Sequence, residues 1–152
     1  FKAALHEINE YLAKQIAGDG EGATALFEVK VKGAESVKAA KVLAKSIACS
    51  NLTKTAIAGH DANWGRIVCA MGYSGAQFDP EKVDLFFESK AGKIQIAEDG
   101  VALDFSEEKA TEILSQPEVT AIADVKIGDA EATAWGCDLT HGYIEINADY
   151  RS

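Results

Sequence analysis

Between Gly18 and Gly22 the hydrophobic pattern of this chain changes its period, and that switch narrows the folds open to it. Before the glycines, Ala4, Leu5, Ile8, Leu12 and Ile16 recur at helical spacing; after them, Phe27, Val29 and Val31 alternate with Glu28, Lys30 and Lys32 up to Gly33. Residues three and four apart share a helix face, whereas alternate residues share a strand face. Residues 1–17 therefore read as an amphipathic helix ending in a Gly-rich elbow, and a strand follows from Thr24. The apolar stripe of that first helix needs a partner.

The two periods keep alternating. Val37, Ala40, Leu43, Ala44 and Ile47 return to helical spacing, with Lys38, Lys41 and Lys45 forming a solvated face. Residues 54–58 read as a short strand, and Asp61 or Asn63 can cap a short helix that stops at Gly72. Residues 83–88 and 93–97 flank Ala91-Gly92 as a hairpin, and Ser106 with Glu107 and Glu108 opens a helix that ends before Pro117. Residues 119–127 and 131–139 flank Gly128-Asp129 as a second hairpin. The alternation of Ile144, Ile146 and Ala148 with Tyr143, Glu145, Asn147 and Asp149 predicts a last strand that closes the sheet. Hairpins mixed with isolated helices favour an α+β fold, a mixed or antiparallel sheet packed by helices, over a parallel doubly wound one.

Composition removes several functional classes. A net charge of -9 and a pI near 4.8, with no basic cluster, oppose binding to nucleic acid or acidic membrane surfaces. No apolar run approaches the roughly 20 residues needed to span a bilayer. Cys49, Cys69 and Cys137 are too far apart for a paired metal motif and odd in number for a disulfide framework. They are expected to be semi-buried packing residues in a reducing, cytoplasmic setting. The chain starts at Phe1 rather than Met and shows no signal-peptide pattern, so it reads as a processed or truncated product.

The chemistry-bearing residues form no complete catalytic set. His6, His60 and His141 have no nucleophile at a motif spacing, and no nucleophile elbow, phosphate loop or zinc signature is present. Asp19-Gly20-Glu21-Gly22 places two carboxylates in a flexible elbow, where glycines admit close backbone approach and a cation would suit Glu21. It lacks the ligand spacing of a calcium loop. In Asn63-Trp64-Gly65-Arg66, the arginine fork and the indole are suited to bracing neighbouring elements.

The segment from Ala132 to Ser152, the block Asp19-Gly20-Glu21-Gly22-Ala23-Thr24 and the block Asn63-Trp64-Gly65-Arg66-Ile67 together resemble the β chain of ornithine acetyltransferase, also called glutamate N-acetyltransferase. The resemblance runs the length of the chain and includes Lys54-Thr55-Ala56. It implies acetyl transfer from N-acetylornithine to glutamate through an acetyl-threonine, without metal or cofactor; some members also accept acetyl-CoA. The reacting threonine, the N-terminus of a self-cleaved β chain, is not Phe1 and would lie upstream, so no catalytic residue is expected here. Residues 1–19 would be the terminal helix of the preceding self-cleaving α/β sandwich domain, and residues 20–152 the β chain's C-terminal domain. The implied substrate-binding residues are Glu21, Asn147 and Ser152, the last standing where many members have threonine. Partners would be the α chain and the upstream part of the β chain, in a heterotetramer or larger assembly. Two other readings stay open on the residues alone: a non-catalytic small-ligand or regulatory α+β module, and a purely structural assembly domain.

Overall fold

Phe27, Val29 and Val31 are fully buried on one side of strand β1 (Leu26–Ala34), and the fold is built outward from that side. The computed structural model of the chain describes residues 1–149. Helix α1 (Lys2–Gly18) precedes β1, and helices α2 (Val37–Cys49), α3 (Asn51–Ala58) and α4 (Trp64–Gly72) follow it. Next come strands β2 (Asp84–Ser89), β3 (Gly92–Glu98) and β4 (Val101–Ala102), then helix α5 (Glu107–Leu114). Strands β5 (Glu118–Asp124) and β6 (Ala130–Cys137) and helix α6 (His141–Asp149) end the described chain. The six strands form one mixed sheet in the order β4-β3-β2-β5-β1-β6, an α+β architecture as the periodicity implied.

The alternation seen in the sequence sorts the two sheet faces. Val119, Ala121 and Ala123 of β5 and Leu85 and Phe87 of β2 join the buried row of β1. Leu43 and Ile47 of α2, Ile67 and Met71 of α4, and Ile113 and Leu114 of α5 complete this core. Ser36, Asn63 and Ser106 cap α2, α4 and α5 through their side chains, each accepting the N–H of the residue three positions on. The opposite face carries cross-strand ion pairs such as Lys32–Asp124 at 3.2 Å and Lys93–Glu88 at 3.5 Å. Such pairs fit a face left to solvent.

Helix α1 lies at one end of this polar face, against β1 and β6. It turns Glu10, Ala13, Lys14 and Ala17 inward, each half-buried, and leaves Leu5, Ile8, Leu12 and Ile16 between 44% and 78% exposed. Lys14, held by Glu10 of its own helix at 2.9 Å, gives the sheet a polar contact: it pairs with Glu28 at 3.7 Å and sits 5.7 Å from the centre of the Trp135 ring. The Trp135 indole in turn donates to Glu28 Oε2 at 2.6 Å. The stripe expected to need a partner finds none among the described residues.

Four expectations need correction. Residues 54–58 belong to helix α3, because Ser50 caps Thr53 N at 3.3 Å and Thr53, Ala56 and Ile57 share one buried face. The segments around Gly128-Asp129 form no hairpin: β1 lies between β5, parallel to it, and β6, antiparallel to it. The connection instead crosses the end of β1, where Ile127 and Gly128 both donate to Gly33 O at 2.8 Å. A Cβ on Gly128 would stand 2.4 Å from Ala34 O, so only glycine passes there. Residues 143–149 form helix α6 rather than a closing strand; none of them is buried, so their alternation marks no packed face. Cys49 and Cys69 are exposed, and only Cys137 is partly covered.

Candidate functional site

The elbow between α1 and β1 has little rigidity of its own, since Glu21 stands between Gly20 and Gly22 and only a turn bond, Ala23 N to Gly20 O at 3.0 Å, closes it. Its shape comes from the segment after β6. Asp138, 3% exposed, accepts Thr24 N at 2.8 Å and Ala25 N at 3.0 Å through Oδ1, and the Thr24 hydroxyl at 2.6 Å through Oδ2. Two residues on, the Thr140 hydroxyl donates to Gly22 O at 2.6 Å and accepts Gly142 N at 3.2 Å. Gly22 has φ +69, and a Cβ there would lie 2.6 Å from the backbone of Gly142 and Tyr143. The elbow and the start of α6 thus touch backbone to backbone, which requires glycine.

This contact brings together two residues 126 positions apart. The Asn147 amide nitrogen, on α6, donates to Glu21 Oε2 at 2.7 Å and to Tyr143 O at 2.9 Å. A carboxylate only accepts, so the NH₂ end of Asn147 must face Glu21. Among the described residues, Glu21 Oε1 and Asn147 Oδ1 take part in no further hydrogen bond, and both side chains are exposed. What the pair presents outward is therefore acceptors and one negative charge, an arrangement suited to an ammonium group. Ser152, the third residue named from the sequence, lies outside the described residues.

The Asn63-Trp64-Gly65-Arg66 block supports this site from a distance. Arg66 Nη1 donates to Leu52 O at 2.9 Å and Thr55 Oγ1 at 3.2 Å, bracing α4 to α3. Lys54 of α3 then uses its carbonyl to accept Leu139 N at 3.2 Å, between the two clamping residues Asp138 and Thr140. Arg66 is a brace, as its chemistry suggested. His60 and His141 are exposed; His141 borders a largely apolar hollow of about 330 Å³ with Thr55, Leu139 and Ile144. Among the described residues no three His, Cys, Asp or Glu side chains converge as metal ligands would. Among the described residues no helix is long and apolar enough to cross a membrane.

A more capacious cleft, about 700 Å³, lies against the elbow between Lys14, Asp19, Thr24, Pro117 and Glu118, and is lined by neither Glu21 nor Asn147. The acceptor pair stands on an open surface instead, as one wall of a site would. Asp138 and Thr140 did not emerge from the sequence as site residues. Their partners in the elbow are 113 to 118 positions away, and nothing local signals such bonds.

A model of the ArgJ family matches residues 1–152. The chain is 55% identical, over 98% of its length and 38% of the other's, to the arginine biosynthesis bifunctional protein ArgJ of Thermotoga neapolitana. It is 46% identical to the glutamate N-acetyltransferase of Methanopyrus kandleri, over all of this chain and 39% of that protein. The crystal structure of the arginine biosynthesis bifunctional protein ArgJ from Bacillus halodurans superposes with a TM-score of 0.91 at 47% identity, covering 97% of this chain and 68% of that one. The chain thus spans less than two fifths of the length of these curated relatives.

Proposed function

The chain belongs to the ArgJ family, and from that premise we infer that it forms the substrate-holding wall of an ornithine acetyltransferase of arginine biosynthesis. In this reaction a threonine hydroxyl attacks the acetyl carbonyl of N-acetylornithine; the C–N bond breaks, ornithine leaves with the proton on its amine, and an acetyl-threonine ester remains. The amine of glutamate then attacks that ester and regenerates the hydroxyl. The threonine comes from outside this chain, as does the oxyanion hole that holds the tetrahedral intermediates. Glu21, Asn147 and Ser152 hold substrate. The Glu21–Asn147 pair carries this reading, because Glu21 Oε1 and Asn147 Oδ1, unbonded among the described residues, are acceptors only and fit the free ammonium of N-acetylornithine.

Residues 1–19 act as the terminal helix of the preceding domain, which would explain why Leu5, Ile8, Leu12 and Ile16 face away from the sheet. At about 25 cal/mol per Å² of apolar surface, covering that stripe is a substantial drive for assembly. The remainder of the β chain and the α chain are the partners, in a heterotetramer or larger assembly in the cytoplasm. Acetyl-CoA is a further donor if the activity is bifunctional.

The test is steady-state kinetics of the full-length acetyltransferase carrying Glu21→Ala. Losing a charged hydrogen bond to substrate should raise KM for N-acetylornithine roughly tenfold to a hundredfold, or abolish turnover. Unchanged kinetics would remove Glu21 from the site. Saturable binding of an amino acid by this chain alone would favour an independent ligand-binding module.

A further inference from the structure

We propose that Asp138, seconded by Thr140, is the positioning residue that sets Glu21 at working distance from Asn147. The proposal rests on the reading of Glu21 as a substrate-holding group. Two features require such a device. Glu21 is flanked by glycines, so its own loop cannot fix its direction, and α6, which carries Asn147, has no buried residue. Ordinary core packing therefore sets neither partner, and hydrogen bonds must do it.

The bonds present are placed for that purpose. Asp138 takes hold of the elbow just after Glu21, at Thr24 and Ala25, using both carboxylate oxygens. Thr140 takes hold of Gly22, the residue next to Glu21, and at the same time of Gly142 at the start of α6. Both clamps lie on the short segment that continues directly into Asn147, so a single stretch of chain grips the elbow and presents the second acceptor. A carboxylate is costly to bury unless donors meet it, and here three donors do. The Arg66 and Lys54 contacts hold the middle of this segment against α3.

The chemistry of the clamp distinguishes the variants. In Asp138→Asn the side-chain oxygen can still accept both N–H groups, and the amide nitrogen can donate to the Thr24 hydroxyl, which reverses its role. Asp138→Ala loses all three bonds, and Thr140→Val loses both of its bonds while keeping its shape.

The experiment uses full-length enzyme and N-acetylornithine, with KM and kcat from steady-state rates, and Kd from calorimetry on assembled enzyme whose β chain begins with alanine in place of the reacting threonine. Asp138→Ala should raise KM about tenfold with a smaller effect on kcat, Thr140→Val should raise it severalfold, and Asp138→Asn should bring it back to within about threefold of the parent. In a Glu21→Gln background, Asp138→Ala and Thr140→Val should weaken Kd no further, because the group they position is already disabled. If Asp138→Ala does not fold, Thr140→Val carries the same comparison. The proposal is overturned if Glu21→Gln weakens Kd while neither clamp variant does, or if the clamp effects persist at full size in the Glu21→Gln background; the reading of Glu21 survives both results. If Glu21→Gln itself leaves Kd unchanged, the reading of Glu21 fails and the positioning role fails with it.

Discussion

Replacing Gly22 with alanine demands room that the elbow lacks. The added Cβ would stand 2.6 Å from the backbone of Gly142 and Tyr143, whereas ordinary contact begins near 3.4 Å, and neither neighbour is a side chain that can turn aside. Alanine must also hold φ near +69, which costs about 1–2 kcal/mol for a residue with a Cβ. Separating the elbow from α6 stretches the 2.6 Å bond from Thr140 to Gly22 and the 2.7 Å bond from Asn147 to Glu21, each worth about 0.5–1.5 kcal/mol net. The total is about 2–5 kcal/mol, or a Tm lower by roughly 6–16 °C in a protein of this size. Gly75→Ala supplies the control: Gly75 has φ +84 but nothing within 4 Å of its added Cβ, so that variant reports backbone strain alone. Urea or thermal unfolding should show Gly22→Ala losing clearly more stability than Gly75→Ala, with a raised KM in the first only. Equal losses for the two variants, with KM unmoved, would refute the claim that elbow and α6 form one tightly fitted joint.

The remaining expectations concern the supports of the site. The Lys14 ammonium is held charged above its ordinary range, chiefly by its hydrogen bond to Glu10 and then by the charge of Glu28. A raised lysine pKa gives stability that is present below the unfolded value of about 10.4 and is lost only as pH climbs through the folded value. In a Trp64→Phe background, Trp135 emission should thus stay constant from about pH 7.5 to 9, and Lys14→Met should shift it; titration inside that window would contradict the contact. Arg66→Lys keeps a charge but loses the planar Nη1 group that donates to both Leu52 O and Thr55 Oγ1, and should cost about 0.5–1.5 kcal/mol by urea unfolding. A loss near zero would mean that α3 and α4 are held together without it.

Much of the secondary structure was legible because it is local. The caps at Asn63 and Ser106, the period of α1 and α2, and the hairpin at Ala91-Gly92 each declare themselves within a few residues. What sequence reading missed is of two kinds. In α3 and α6 a short apolar pattern mimics a strand: Ser50 caps the first as a helix, and the second buries no face that could give its alternation meaning. The insertion of β1 between β5 and β6 is a matter of long-range pairing, which turn chemistry at Gly128-Asp129 cannot reveal. The site divides the same way. Glu21 and Asn147 were named through family resemblance rather than through any local pattern, and Asp138 and Thr140 stayed hidden because their bonds span more than a hundred residues.

The most direct measurement is a crystal structure of the assembled enzyme, its α chain coexpressed with a β chain that begins with alanine in place of the reacting threonine, bound to N-acetylornithine. The free ammonium of the substrate should lie within hydrogen-bond distance, roughly 3.2 Å, of Glu21 Oε1 and Asn147 Oδ1, with the Glu21–Asn147 bond retained. Substrate bound with that ammonium directed to other residues, while Glu21 and Asn147 remain turned to solvent, would contradict the account.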